Sequence, residues 1–141
     1  YLKDSNIEVV FNQTYALYNE ADAALVSSGT ATLETALFNV PQVVCYQTSW
    51  LSYKIAKLLV DVKYISLVNL IANQEVVKEL IQKDLTVSNM VSELSSILSV
   101  EGSAKMKQSY KDLTVLLGGV GASERISSAI FSDLKSMVKS L

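Results

Sequence analysis

The residues best suited to chemistry lie in one run, Leu25-Val26-Ser27-Ser28-Gly29-Thr30-Ala31-Thr32-Leu33-Glu34. Its composition reads as a strand, a small polar turn and the start of a helix. In parallel α/β sheets, ligands bind at the carboxyl ends of the strands, where such a turn sits. Gly29 lets a ligand approach the backbone closely. The free amides of a helix start, together with the hydroxyls of Ser28 and Thr30, suit an anionic phosphate. Glu34 lies about one turn beyond Thr30, so the two share a helix face. A capping-box carboxylate belongs three residues after its Ser or Thr. Those positions are Ala31 and Leu33, so capping does not account for Glu34. A carboxylate just behind a phosphate cradle is placed to accept hydrogen bonds from both hydroxyls of a ribose. The plainer reading, a solvated Glu near a positive helix end, stays open on chemistry alone. With a single Gly, the turn by itself is a weak phosphate signature.

Other chemistries are restricted by what is missing. The chain has no His, which excludes Ser-His and Cys-His catalytic pairs and imidazole metal sites. Its one cysteine, Cys45, precludes an internal disulfide and fits a reducing compartment. Cys45 lies between Val44 and Tyr46 in an apolar run, so it reads as a buried structural thiol. No Asp-x-Asp pair is present to hold a metal with a diphosphate, and neither metal nor cofactor is expected. The 12 basic and 14 acidic residues are intermixed, with a net charge of −2. There is no basic stripe of the kind that nucleic acid requires.

The elements that must position Ser28 to Glu34 follow from two periodicities. Residues 7–11, 23–27, 42–46 and 64–67 read as short apolar or β-branched strands. Residues 14–20 and 29–38 read as helices, and Pro41 ends the connection after the second. Ser49 is suited to cap a helix running to about Val60. Residues 74–83, 87–98, 103–117 and 123–138 carry apolar residues at three- and four-residue spacing. Continuous apolar strands separated by helices imply a parallel sheet covered on both faces. The expectation is a Rossmann-like α/β domain over residues 1–117, followed by a terminal helix over residues 118–141. With 141 residues, half of them hydrophobic and 18% charged, the chain has material for one core. Mean hydropathy is +0.29, yet no run of about 18 apolar residues suggests a membrane span. The first residue is Tyr1, so the chain reads as an excised domain.

Three further features have bland readings. Gly118-Gly119-Val120-Gly121-Ala122-Ser123 joins two helices, so it reads as a helix stop followed by a Ser123 cap rather than a phosphate loop. Trp50, Leu51, Tyr53 and Ile55 read as core packing or as a patch meeting acyl chains, another domain or a membrane surface, with Lys54 and Lys57 beside it. Asp61, Lys63 and the charges between Glu75 and Lys83 read as solvent-facing.

Taken together, Ser28-Gly29-Thr30-Ala31-Thr32-Leu33-Glu34 and Pro41-Gln42-Val43-Val44-Cys45-Tyr46 resemble the lipid-A-disaccharide synthases. Tyr64-Ile65-Ser66-Leu67-Val68-Asn69-Leu70-Ile71-Ala72 and Glu75-Val76-Val77-Lys78-Glu79-Leu80-Ile81-Gln82 continue the likeness, and Gly121-Ala122-Ser123-Glu124-Arg125 resembles that family's entry to its final helix. The resemblance runs from about residue 23 to 131. It implies one half of a GT-B glycosyltransferase: a C-terminal domain holding the UDP part of a UDP-diacylglucosamine donor. The acceptor would be a diacylglucosamine 1-phosphate, at the cytoplasmic face of a bacterial inner membrane. Ser28, Gly29 and Thr30 would lie by the diphosphate, Glu34 by the ribose, and Asn69 toward the interdomain cleft. The catalytic group would belong to an N-terminal domain, against which the terminal helix would pack. A homodimer is compatible with this reading. Four residues at three places depart from the family's pattern. Gln47 stands where a Lys or Arg is common, Asn73-Gln74 where Gly-Arg is common, and Val68 where Pro is common. The first two remove cations from the region of the diphosphate. Another UDP-sugar enzyme of this architecture, such as a UDP-N-acetylglucosamine epimerase, and a non-catalytic nucleotide-binding module are the alternatives.

Overall fold

A computed structural model describes residues 7–27, 29–49 and 63–139. The elements in chain order are α1 (Thr14–Glu20), β1 (Ala24–Ser27), α2 (Thr30–Leu37), β2 (Gln42–Tyr46), α3 (Leu67–Ala72), β3 (Lys78–Ile81), a 3-10 turn (Gln82–Asp84), α4 (Val87–Leu98), α5 (Val100–Leu116) and α6 (Ala122–Lys139). The three strands form a parallel sheet in the order β1-β2-β3. Leu25 pairs with Val43 and Ser27 with Cys45; on the other side of β2, Cys45 pairs with Leu80 and Tyr46 with Ile81. The fold is α/β, with a parallel sheet flanked by helices and a C-terminal helix, as expected.

The core explains the strand composition. Val43 and Val44 are fully buried on opposite faces of the central strand, as a sheet covered on both sides demands. Around them pack Ala36 of α2, Val68 of α3, Val77 and Leu80, Ile97 of α4, and Met106, Tyr110 and Leu113 of α5. The Val, Leu, Ile and Met side chains among them each contribute about 1.5–3 kcal/mol by leaving water. Gln42 is buried among them, its Nε2 donating to Thr32 O at 2.8 Å and to the Tyr110 hydroxyl oxygen at 3.3 Å. That amide ties the first turn of α2 to β2 and α5.

Three expected elements differ. Residues 7–11 form no strand; Ile7, Val9 and Phe11 are exposed. β-branched composition makes a strand only where a ladder partner exists, and no described strand pairs with this segment. Residues 64–67 are not a strand but the entry to α3, because Ser66 caps it: its Oγ accepts from Asn69 N at 3.3 Å. Residues 74–83 are not a helix. Asn73, left-handed at φ 50°, ends α3, and β3 follows. The helix-like spacing there came from Val77 and Leu80, which instead enter the core from just before the strand and from within it. The helix expected from Ser49 to about Val60, with Trp50, Leu51, Tyr53, Lys54, Ile55, Lys57 and Asp61, falls almost wholly outside the described residues.

A candidate nucleotide site at the start of α2

The sheet delivers the end of β1 to a sharp turn. Ser28 lies outside the described residues. Gly29 has φ 134° and ψ −161°, a conformation that side chains with a Cβ rarely adopt. A Cβ built there meets no atom within 4 Å, so the backbone is open to approach. Gly29 is the N-cap of α2 and offers no capping side chain. Thr32 turns inward, its Oγ1 donating to Gly29 O at 2.8 Å, while Thr30 is exposed beside the turn.

One turn further along α2, half-buried Glu34 lines a cavity of about 550 Å³ with Asn12, Gln13, Thr14, Tyr15 and Ala16. The other wall is therefore the start of α1. Packing creates this cleft: the Tyr15 ring stacks on Phe38 with centroids 5.3 Å apart and planes 10° apart, and Tyr18 meets Phe38 at 5.3 Å. Phe38 is the C-cap of α2, so these ring contacts set α1 beside the helix that carries Glu34. Nothing in the spacing of residues 12–16 pointed to this wall. The signal was indirect: Asn12 is left-handed at φ 57°, a conformation Asn tolerates, and turns the chain into α1.

Gln47 is exposed just beyond β2. Ser27 and Cys45 are register partners, so Gln47, two residues beyond Cys45, and Gly29, two residues beyond Ser27, both follow the strands at the carboxyl edge of the sheet. Gly29, Thr30 and Gln47 thus lie toward the carboxyl edge of the sheet, while Glu34 lies a turn further along α2, in a cleft whose lining includes none of those three. Asn69 is placed differently. It is fully buried, and its amide is engaged within the chain. Asn69 Nδ2 donates to Val77 O at 2.8 Å and to Glu79 Oε1 at 2.9 Å, while its Oδ1 accepts from Val76 N at 2.8 Å and Val77 N at 2.9 Å.

Glu79 was expected to face solvent, and that expectation is corrected. It is half-buried, and besides the Asn69 bond it accepts from Ile65 N at 3.0 Å, Ser66 N at 2.9 Å and Ser66 Oγ at 2.7 Å. Lys78 and Glu75 do lie at the surface, paired at 3.1 Å. Gln74 is exposed and its backbone N donates to Asn69 O at 3.3 Å; it supplies no cation.

The glycine-rich segment is a helix stop. Gly118, Gly119 and Gly121 have φ of 78°, 63° and 90°. Arg125 donates to Gly118 O at 3.2 Å and to Val120 O at 2.9 Å, so the loop presents carbonyls to a cation rather than amides to a phosphate. Ser123 lies inside the first turn of α6 and is not its cap; Gly121 O accepts from Arg125 N at 3.1 Å in that position. Cys45 is half-buried, and burial pushes its thiol up from the ordinary value, away from nucleophile chemistry. Among the described residues, no group of His, Cys, Asp and Glu is arranged to hold a metal, and no helix is long and apolar enough to cross a membrane.

Comparison with known proteins agrees with this architecture. A family model described as lipid-A-disaccharide synthetase matches residues 1–130. The chain is 49% identical over 98 residues to a lipid-A-disaccharide synthase of Psychromonas ingrahamii, covering 70% of this chain and 26% of that protein. It is 34% identical over 145 residues to one of Synechocystis sp., covering 99% of this chain and 37% of the relative. With one of Anaeromyxobacter dehalogenans it shares 33% identity over 130 residues, 92% of this chain and 34% of the relative. The chain therefore spans from about a quarter to somewhat over a third of these relatives' length. On the family match over most of its length, this chain belongs to the lipid-A-disaccharide synthetase family.

Proposed function

We propose that this chain holds the UDP part of a nucleotide-sugar donor in a glycosyltransferase that joins two diacylglucosamine units. The products are the lipid A disaccharide 1-phosphate precursor and UDP. Ser28, Gly29 and Thr30 take the diphosphate, Glu34 the ribose hydroxyls, and Gln47 the region next to the phosphates. Asn69 contributes from within, by holding the start of β3 against α3. The observation that carries the reading is Glu34. It sits on the wall of a cleft large enough for a nucleoside, one helical turn from an open Gly29 backbone with no described capping side chain. Membership of the family favours this over an epimerase of similar architecture.

Transfer with inversion needs a group to accept the proton of the attacking hydroxyl. This chain has no His, and Glu34 is committed to the ribose. The base therefore belongs to the part of the protein that the relatives have and this chain does not span. That part also supplies the opposite wall, positioning the acceptor and excluding water. The terminal helix packs on it: Ile126, Ile130, Phe131, Leu134 and Met137 of α6 are all exposed here. In this reading the acylated substrates bring the protein into peripheral contact with a membrane, which we take to be the cytoplasmic face of the inner membrane. No metal and no cofactor is required.

Calorimetric titration of the intact protein with UDP, uridine and AMP tests the assignment. UDP binding tighter than both is expected. Equal binding of UDP and AMP, or none, overturns it.

A further inference from the structure

Among the described residues other than Gly, four have positive φ: Asn12, Asn39, Asn73 and Gln82. Three are Asn, whose short amide tolerates the left-handed region. Gln82, at φ 52°, has no such dispensation. Strain of this kind persists only where the surroundings over-determine it, and the inference runs from the outlier to a role.

The surroundings of Gln82 are specific. It follows Ile81, the last residue of β3, and opens the 3-10 turn Gln82–Asp84. Ile81 pairs with Tyr46, the last residue of β2, so both strands leave the sheet at one level, on its carboxyl edge. The left-handed turn at Gln82 ends the ladder there. In its place the side chain crosses: Gln82 Nε2 donates to Thr48 O at 3.1 Å. The far end of the turn is anchored separately. Leu85 N donates to Gln82 O at 3.2 Å, and Asn89 Nδ2 of α4 donates to Asp84 O at 2.8 Å. A carboxamide on a fixed stem thus grips the chain next to exposed Gln47, at the edge that also carries the Gly29 turn.

We propose that Gln82 is a positioning residue of the ligand site. Its amide holds the Gln47–Thr48 segment at the carboxyl edge, and its left-handed backbone is the strain that places the amide there. This rests on the reading of that edge as a UDP site. The role is indirect, since Gln82 acts through the segment it tethers. It predicts that one substitution lowers binding while stability holds level or rises, which a purely structural residue does not do.

The test uses the intact protein with Gln82→Gly, Gln82→Asn and Gln82→Glu, titrated with UDP and with uridine. Gln82→Gly removes both strain and tether, so its melting temperature stays level or rises. Its UDP affinity falls about three- to tenfold, the loss of one ordinary hydrogen bond. Gln82→Asn keeps the tolerated backbone but is one methylene too short, and Gln82→Glu keeps the length but has no donor; both lose UDP affinity similarly. Uridine binding is unchanged in all three, because uridine lacks the phosphates that lie toward Gln47. Unchanged UDP affinity in the variants, equal losses for UDP and uridine, or a parallel fall in melting temperature and affinity for Gln82→Gly overturns the inference alone. Failure of the unsubstituted protein to bind UDP removes the underlying reading instead.

Discussion

Asn69 Nδ2 donates to Glu79 Oε1 at 2.9 Å, joining the first turn of α3 to the middle of β3. The same carboxylate accepts from Ser66 N, Ser66 Oγ and Ile65 N, so it holds the whole entry of α3. Asn69 in turn supplies both an acceptor and a donor to the backbone of Val76 and Val77 just before β3. Hydrogen bonds to a charged group contribute about 1.5–3 kcal/mol each, and unmatched buried donors add to the cost. Glu79→Ala should therefore destabilise the protein by about 3 kcal/mol or more. Glu79→Gln should cost less, about 1–2 kcal/mol, since it keeps one carbonyl oxygen but turns a donor toward another donor. Urea unfolding measures both. A loss under about 0.5 kcal/mol for Glu79→Ala would mean water replaces the carboxylate without penalty.

Glu34→Gln tests the proposed ribose contact apart from stability. The Glu34 carboxylate lines an open cavity, and no described side chain pairs with it. Glu34→Gln should leave the melting temperature within about 1 °C, as surface substitutions do. UDP affinity should fall about 10- to 100-fold, the loss of a charge-assisted bond to ribose. A lowered melting temperature with unchanged UDP affinity would make Glu34 a structural residue of α2.

Much of this fold was legible where local signals and tertiary context agree. The bounds of α1, β2 and α4 follow from composition and periodicity to the residue. The misreadings arose where two signals compete. Ser66 outweighs the strand-like Tyr64 and Ile65, because a capped helix start gains tertiary partners in Glu79 and the core. Val77 and Leu80 sit three apart, which suits a helix, yet Leu80 lies in a short strand and Val77 directly before it, and the place of that strand beside β2 only the assembled sheet supplies. At the candidate site, Glu34 stood out because no capping box explained it. The facing wall, Asn12 to Ala16, was illegible: it exists because Tyr15 stacks on Phe38, a contact between separate elements. Glu79 was hidden for the same reason, since a charged residue in a charged run looks solvated until its partners from α3 are in place.

Gly102 tests the α4–α5 corner. Ser99 ends α4 and caps α5, its Oγ accepting from Gly102 N at 3.0 Å. A Cβ at Gly102 would collide with the Ser96 carbonyl oxygen. Ala ordinarily gains about 1 kcal/mol over Gly inside a helix. Here the clash is with backbone and should win, making Gly102→Ala destabilising by about 1–3 kcal/mol in thermal unfolding. Ser99→Ala should cost about 1 kcal/mol, the ordinary loss of an N-cap. A stabilised Gly102→Ala protein would show that the corner opens freely.

Alkaline pH should loosen the core through Tyr110. Burial, the largest cause, pushes its hydroxyl well above the ordinary value of 10.0, and the hydrogen bond from Gln42 offsets this only in part. The folded protein therefore keeps the Tyr110 proton where the unfolded chain loses it. Below pH 10 both states are protonated and nothing changes. Above it, the unfolded state gains by ionising, and stability falls by up to about 1.4 kcal/mol per pH unit from this group. Two other groups share the sign. The Cys45 thiol is raised by burial, and the Lys78 amine is raised by its hydrogen bond to Glu75, though solvent screens that exposed pair. Tyr110→Phe isolates the Tyr110 contribution. It should be slightly less stable at neutral pH, because Gln42 Nε2 keeps only Thr32 O as a partner. Its stability should then decline less steeply than the parent's between about pH 10 and 12. Spectroscopic titration gives an independent readout: one of the seven tyrosines should remain un-ionised until the protein unfolds. Equal slopes for parent and Tyr110→Phe, with all tyrosines titrating together in the folded protein, would show that water reaches the hydroxyl beneath α2.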